Sequence, residues 1–162
     1  MDTLTKILGG GRASSLTRLL RYDHGLIYSV QASNMNDLGF GTWKVNTGTK
    51  PHQVKNVVNL INGELSRAAN GGITVDELNQ AKATIINSLP VNLDAVGSFL
   101  GFHIEQDLYD LPEYTRAPGW ANAIYGVTLN DIARVAQDVF RPGTSVLALC
   151  GVPTDTDESI LY

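Results

Sequence analysis

Apolar residues recur along this chain at spacings of three and four in several separate stretches, with one short stretch of period two among them. Leu4, Ile7 and Leu8 share one side of a helix predicted over 3–8, which Gly9-Gly10-Gly11 stops. Ser14 or Ser15 is placed to cap the next helix, whose buried stripe is Leu16, Leu19 and Leu20. That helix is predicted to end near Tyr22 or Asp23, with Gly25 taking the left-handed turn that releases the chain. From 26 to 32 the period changes to two, with Leu26, Tyr28, Val30 and Ala32 on one face and Ser29, Gln31 and Ser33 on the other. A second strand over 40–46 follows a longish loop over 34–39, and the two read as an antiparallel hairpin.

The clearest helix follows. Pro51 stands near its first turn, and Val54, Val57, Val58, Ile61, Leu65 and Ala68 form its stripe until Asn70-Gly71-Gly72 ends it. Thr74 and Glu77 have the spacing of a capping box, opening a helix with Leu78, Ala81, Ile85 and Leu89 on one face; Pro90 is expected to break or kink it. A helix over about 93–109 carries Val96, Leu100, Ile104 and Leu108, and a short one is expected over 118–125. Thr128 and Asp131 repeat the capping logic ahead of Leu129, Ile132, Val135, Ala136 and Val139. Arg141-Pro142-Gly143 turns the chain into a last, buried strand over 146–150 that holds Cys150 as an inert core thiol. These elements predict one layered α/β domain of α+β type over 1–152, with a hairpin and a late C-terminal strand in one sheet and helices on one face, then a polar tail over 153–162.

A chain of 162 residues, 43% apolar and 17% charged, can bury a core without staples, and its single cysteine excludes an internal disulfide. A net charge of -4, with acids gathered at Glu105, Asp107, Asp110 and Glu113 and again at Asp155, Asp157 and Glu158, argues against a nucleic-acid partner. No apolar run approaches membrane-spanning length, and the start has neither a basic leader nor a long apolar segment, so a soluble chain without a signal peptide is expected.

Most chemistry sought by motif is missing. His24, His52 and His103 are far apart, and neither His-Glu-x-x-His nor His-x-x-Glu-His occurs; His103 with Glu105 and Asp107 comes nearest, at spacings that share a helix face poorly. Gly9-Gly10-Gly11 lacks the Gly-Lys-Ser/Thr of a phosphate loop, Gly39-Phe40-Gly41 lacks a third glycine, and no Gly-x-Ser-x-Gly elbow surrounds Ser14 or Ser15. Arg21 and Tyr28 remain, two donors seven positions apart across a change of secondary structure. Tyr28 reads either as a core tyrosine beside Leu26 and Val30 or as half of a site; Arg21 reads either as a solvated helix-end cation or as the other half.

The order of Ile7-Leu8-Gly9-Gly10-Gly11, Ser15-Leu16-Thr17-Arg18-Leu19-Leu20-Arg21, Gly25-Leu26-Ile27-Tyr28-Ser29-Val30, the stretch from Gly72 to Lys82, Val127-Thr128-Leu129-Asn130-Asp131-Ile132 and Arg141-Pro142 resembles the pitrilysin and insulinase family of zinc metallopeptidases, which includes mitochondrial processing peptidase. The resemblance implies two related halves, in one polypeptide or two subunits, closing like a clam shell around an unfolded peptide. One half carries the inverted zinc motif; this sequence, lacking it, resembles the other. It implies that this chain binds no cofactor itself, with zinc expected on the partner half, and that Arg21 and Tyr28 reach the substrate at that zinc site. Proteolytically inactive structural or peptide-binding subunits of the same fold are the alternative. Such a half also begins with sheet strands that this chain does not carry, so an unpaired sheet edge open to self-association is expected.

Overall fold

In the computed structural model of this chain, which describes residues 1–37, 40–93, 100, 104, 108 and 119–151, helix α1 (Asp2–Gly9) is buried along most of its length. Its three- and four-residue spacing aligns Leu4, Ile7 and Leu8 as one stripe, and the two leucines are completely removed from solvent. Thr3 and Thr5 on other sides are buried too. The reason is that α1 is contacted by α2 (Ser15–Thr17), β1 (Ile27–Asp37), α4 (Val75–Leu93) and α6 (Leu129–Val139). Thr5 is satisfied there, its hydroxyl donating to the Met1 carbonyl at 3.3 Å and accepting from Trp43 Nε1 at 3.0 Å.

β1 pairs antiparallel with β2 (Phe40–Thr49), from Ile27 opposite Thr49 to Asp37 opposite Phe40. Both strands outrun the predicted 26–32 and 40–46: the ladder runs on through 33–37 of β1 and 47–49 of β2, where an antiparallel pair can leave one face open to water. Ala32 opposite Val45 and Asn34 opposite Trp43 turn towards the helices. Trp43 meets the Phe140 ring edge-on at 4.7 Å, while Gln31, Thr42, Lys44 and Asn46 are exposed. The approach of α1 to this face is close: a Cβ added at Gly9 would lie 2.5 Å from Ala32 Cβ and 2.7 Å from the Ala32 amide nitrogen.

After a 3₁₀ turn (Pro51–Gln53), α3 (Val54–Ala69) packs on α6 through Val57 and Ala68 among the core residues. Both predicted capping boxes form. Glu77 N–H donates to Thr74 Oγ1 at 3.2 Å and Thr74 N–H to Glu77 Oε2 at 2.8 Å; Asp131 and Thr128 exchange the same bonds at 3.2 and 2.9 Å. Glu77 also joins α4 to α3, since Arg67 donates from Nη2 to Glu77 Oε1 at 2.8 Å and to Glu64 Oε1 at 2.7 Å, and from Nη1 to the Gly72 carbonyl. Arg18 lies 3.6 Å from the same Glu77 oxygen. Burial pushes the Glu77 carboxyl up, but the bonds from Arg67 and Thr74 outweigh it and hold the group below the ordinary carboxylate range. Further on, Lys82 Nζ donates to the Tyr125 carbonyl at 2.8 Å, closing the end of α5 (Gly119–Gly126).

The layering of helices on an antiparallel hairpin is as expected, and the late strand is not. Residues 144–150 carry no strand pairing, Val146 is 95% exposed and Cys150 is exposed, so the buried-strand and core-thiol readings are corrected. An apolar run becomes a core strand only where a sheet edge accepts its backbone and a face covers its side chains, and among the described residues the sheet contains only β1 and β2. α4 also continues past Pro90 to Leu93 instead of breaking there. Of the helix expected over 93–109, Leu100, Ile104 and Leu108 are described, each helical and exposed. His103 and the tail over 153–162 lie outside the described residues. No helix of the described residues is long and apolar enough to cross a membrane.

Gly9→Ala should therefore destabilise the chain by about 1–3 kcal/mol, seen as a lower urea midpoint, although alanine is the better helix former. Glu77→Gln should cost about 2 kcal/mol at pH 7. Because the folded-state value of Glu77 is depressed, its contribution is complete above the unfolded value of about 4.3 and disappears as pH falls through the folded value. Urea midpoints of parent and variant should accordingly converge in acid.

Candidate functional site

The segment joining α1 to β1 is built from two irregularities. Helix α2 starts at Ser15 and after Thr17 widens into a π-helix (Arg18–Asp23). Ser14 occupies the cap position but does not cap the helix with its side chain: its hydroxyl turns back to the Gly11 carbonyl at 2.7 Å and lies 2.9 Å from Thr17 Oγ1. The wide turn keeps Leu16 and Leu20 in the core, leaves Leu19 half-buried, and turns Arg21 and Tyr22 outwards. It closes with His24 N–H donating to the Leu19 carbonyl at 3.2 Å and Leu26 N–H to the Leu20 carbonyl at 2.9 Å. Gly25, at φ +60°, takes the predicted left-handed turn between them.

The second irregularity lies at the start of β1. Between the pairs Ile27/Thr49 and Val30/Thr47, β1 advances three residues where β2 advances two, which is a β-bulge. Thr49 Oγ1 donates to the Leu26 carbonyl at 2.9 Å and Thr47 Oγ1 to the Ser29 carbonyl at 2.8 Å, satisfying acceptors where the ladder is interrupted. The bulge corrects the strict alternation expected over 26–32. Ile27 goes into the core, Val30 and Ala32 keep the inward face, and Tyr28 points out with 82% of its surface exposed. Tyr28 is not a core tyrosine.

These two devices bring Arg21 and Tyr28 together. The Arg21 guanidinium carbon lies 5.1 Å from the centre of the Tyr28 ring and 5.5 Å from that of Tyr22, so the cation is in contact with two π systems. Tyr22, which no motif marks, is 56% exposed; an aromatic beside the arginine is the one trace it leaves in the sequence. Arg18, Arg67, Arg134 and Arg141 all pair with carboxylates, while Arg12, exposed beside the glycine run, pairs with none among the described residues. Among the described residues Arg21 has no carboxylate or hydrogen-bond partner, and the Tyr28 hydroxyl none either. A planar fork of N–H donors and a phenol therefore stand at one open surface with their hydrogen bonds unspent, a pair suited to an incoming carbonyl or carboxylate oxygen.

Among the described residues there is no group of three or more His, Cys, Asp and Glu able to hold an ion, and His24 and His52 are exposed on separate elements.

Residues 1–85 match the family model described as the peptidase M16 inactive domain. Over 149 residues the chain is 31% identical to an uncharacterised zinc protease of Streptomyces coelicolor, covering 91% of this chain and 32% of that protein. Over 137 residues it is 26% identical to an uncharacterised zinc protease of Bacillus subtilis, covering 85% and 33%. The chain thus spans about a third of the length of these curated relatives. A conserved protein from Enterococcus faecalis superposes with a TM-score of 0.72 at 29% identity, over 84% of this chain and 31% of the other. The fold is also that of a peptidase M16 inactive domain from Pseudomonas fluorescens, with a TM-score of 0.76 at 20% identity over 85% of this chain and 33% of that one. The matched stretch runs from α1 through the π-turn and the hairpin into α4, and with more than half its length so matched the chain belongs to the peptidase M16 inactive domain family.

Proposed function

We propose that this chain is the substrate-binding, metal-free half of a zinc metalloendopeptidase, and that Arg21 and Tyr28 donate hydrogen bonds to the peptide carbonyl at a zinc site carried by another half. Family membership and the zinc proteases among the relatives support the setting. The observation that carries the residue roles is the unpaired Arg21 guanidinium resting 5.1 Å from the centre of the exposed Tyr28 ring. Zinc on the other half supplies the activated water. When a peptide carbonyl is attacked, negative charge gathers on its oxygen, and donors already fixed in place stabilise that charge without reorganising. Arginine serves this role well because it stays ionised and its fork is rigid. The zinc-bearing half is a homologous domain, in the same polypeptide or as a separate subunit, and the substrate is an extended peptide between the two.

The test is to assay this chain with and without a partner half bearing the His-x-x-Glu-His motif. Zinc-dependent peptide cleavage should appear only on mixing. In the mixed enzyme, Tyr28→Phe should lower turnover on the order of a hundredfold while the urea midpoint stays at the parental value, because the ring is exposed. Parental turnover in that variant would remove Tyr28 from the mechanism. Absence of cleavage with every zinc-bearing partner would favour a proteolytically inactive structural or peptide-binding subunit of the same fold.

A further inference from the structure

We infer that Tyr22 is a positioning residue, holding the Arg21 guanidinium against the Tyr28 ring in the orientation the substrate meets. The inference rests on the carbonyl-donor role proposed for Arg21. Arginine has a long side chain with several rotatable bonds, and an exposed one ordinarily samples many rotamers. Arg21 has no carboxylate or hydrogen bond among the described residues to fix it, yet its guanidinium carbon lies over two rings, 5.1 and 5.5 Å from their centres. One ring offers a single contact from which the cation can swing away; a second ring in reach adds another that must be broken for it to leave. Tyr22 is suited to be the second contact because it shares the π-turn Arg18–Asp23 with Arg21, so ring and cation leave the same helical turn.

Tyr22 has little else to do. It is 56% exposed and outside the core cluster, and its hydroxyl makes no hydrogen bond among the described residues. The ring face is thus the working part, and the hydroxyl is not. Aromatic faces also achieve what an acidic neighbour would defeat. A carboxylate would fix the guanidinium by occupying its donors and cancelling its charge, whereas a quadrupole holds the cation and leaves both available to the substrate.

Two measurements decide the matter. By NMR on this chain, the Arg21 side-chain signals should be displaced upfield by the ring currents; Tyr22→Leu should move them towards the values of a free arginine, and Tyr22→Phe should leave them displaced. In the mixed enzyme, Tyr22→Leu should lower kcat two- to fivefold with little change in KM, Tyr22→Phe should restore the parental value, and Tyr22→Leu should add nothing once Arg21 is replaced by alanine. Unmoved Arg21 signals in Tyr22→Leu overturn the inference whether or not the chain serves a peptidase. Equal losses in the phenylalanine and leucine variants, or an undiminished loss in the Arg21→Ala background, overturn it as well. If mixing yields no cleavage at all, the proposed function fails, while the NMR comparison still decides whether Tyr22 holds the cation.

Discussion

The contact on which this structure depends is the one between the end of α1 and the middle of β1, where the missing side chain of Gly9 lets the helix backbone come down onto Ala32. A two-stranded hairpin is marginal by itself, since one face and both edges lie open to water. Here it is held by a helix that is itself almost wholly buried, with Leu4 and Leu8 sealed on the far side and Thr5 bonded to Trp43 across the junction. The T-shaped contact of Trp43 with Phe140 ties the same strand pair to the end of α6. With the hairpin fixed in this way, the start of β1 has a defined direction, and so has the side chain that leaves it at Tyr28.

Between α1 and β1 the chain departs from regular geometry twice in a dozen residues, and both departures serve the same sorting. A plain α-helix would carry its apolar stripe through Leu16, Leu19 and Leu20; the π-turn keeps the first and last inside and releases Leu19 to a half-buried place. A plain strand would set Tyr28 with Val30 and Ala32; the bulge inserts one residue, sends Ile27 inwards and puts the phenol on the surface. The carbonyls of Ser29 and Leu26 at the bulge accept from the hydroxyls of Thr47 and Thr49. Core residues and exposed donors thus alternate along one short segment, and the donors end up face to face.

Arg67 and Arg21 carry their charge in two different settings. Arg67 is engaged by Glu64, Glu77 and the Gly72 carbonyl, a cluster that fastens α3 to α4 and raises the guanidinium pKa further, with the Glu64 bond the largest cause. Arg21 is held by π faces instead of acids. The first arrangement spends the charge on the fold, and the second keeps it free for an incoming group, which is what separates a structural arginine from one suited to binding.

What closes within a few residues could be read directly from the order of side chains. The capping boxes at Thr74/Glu77 and Thr128/Asp131, the left-handed Gly25, the helix stripe of α1 and the antiparallel sense of the hairpin all depend on partners three or four positions away or on a single reversal of the chain. The pairing of Arg21 with Tyr28 was legible only as a spacing and, through family likeness, as an expectation. Tertiary structure decided the rest, because it turned on partners far along the chain. Register against β2 created the bulge that exposed Tyr28, and the helix end carried Tyr22 onto the same cation. The apolar run at 146–150 looked like a core strand in composition, but pairing is a tertiary matter: among the described residues no strand pairs with it, and Val146 and Cys150 lie exposed.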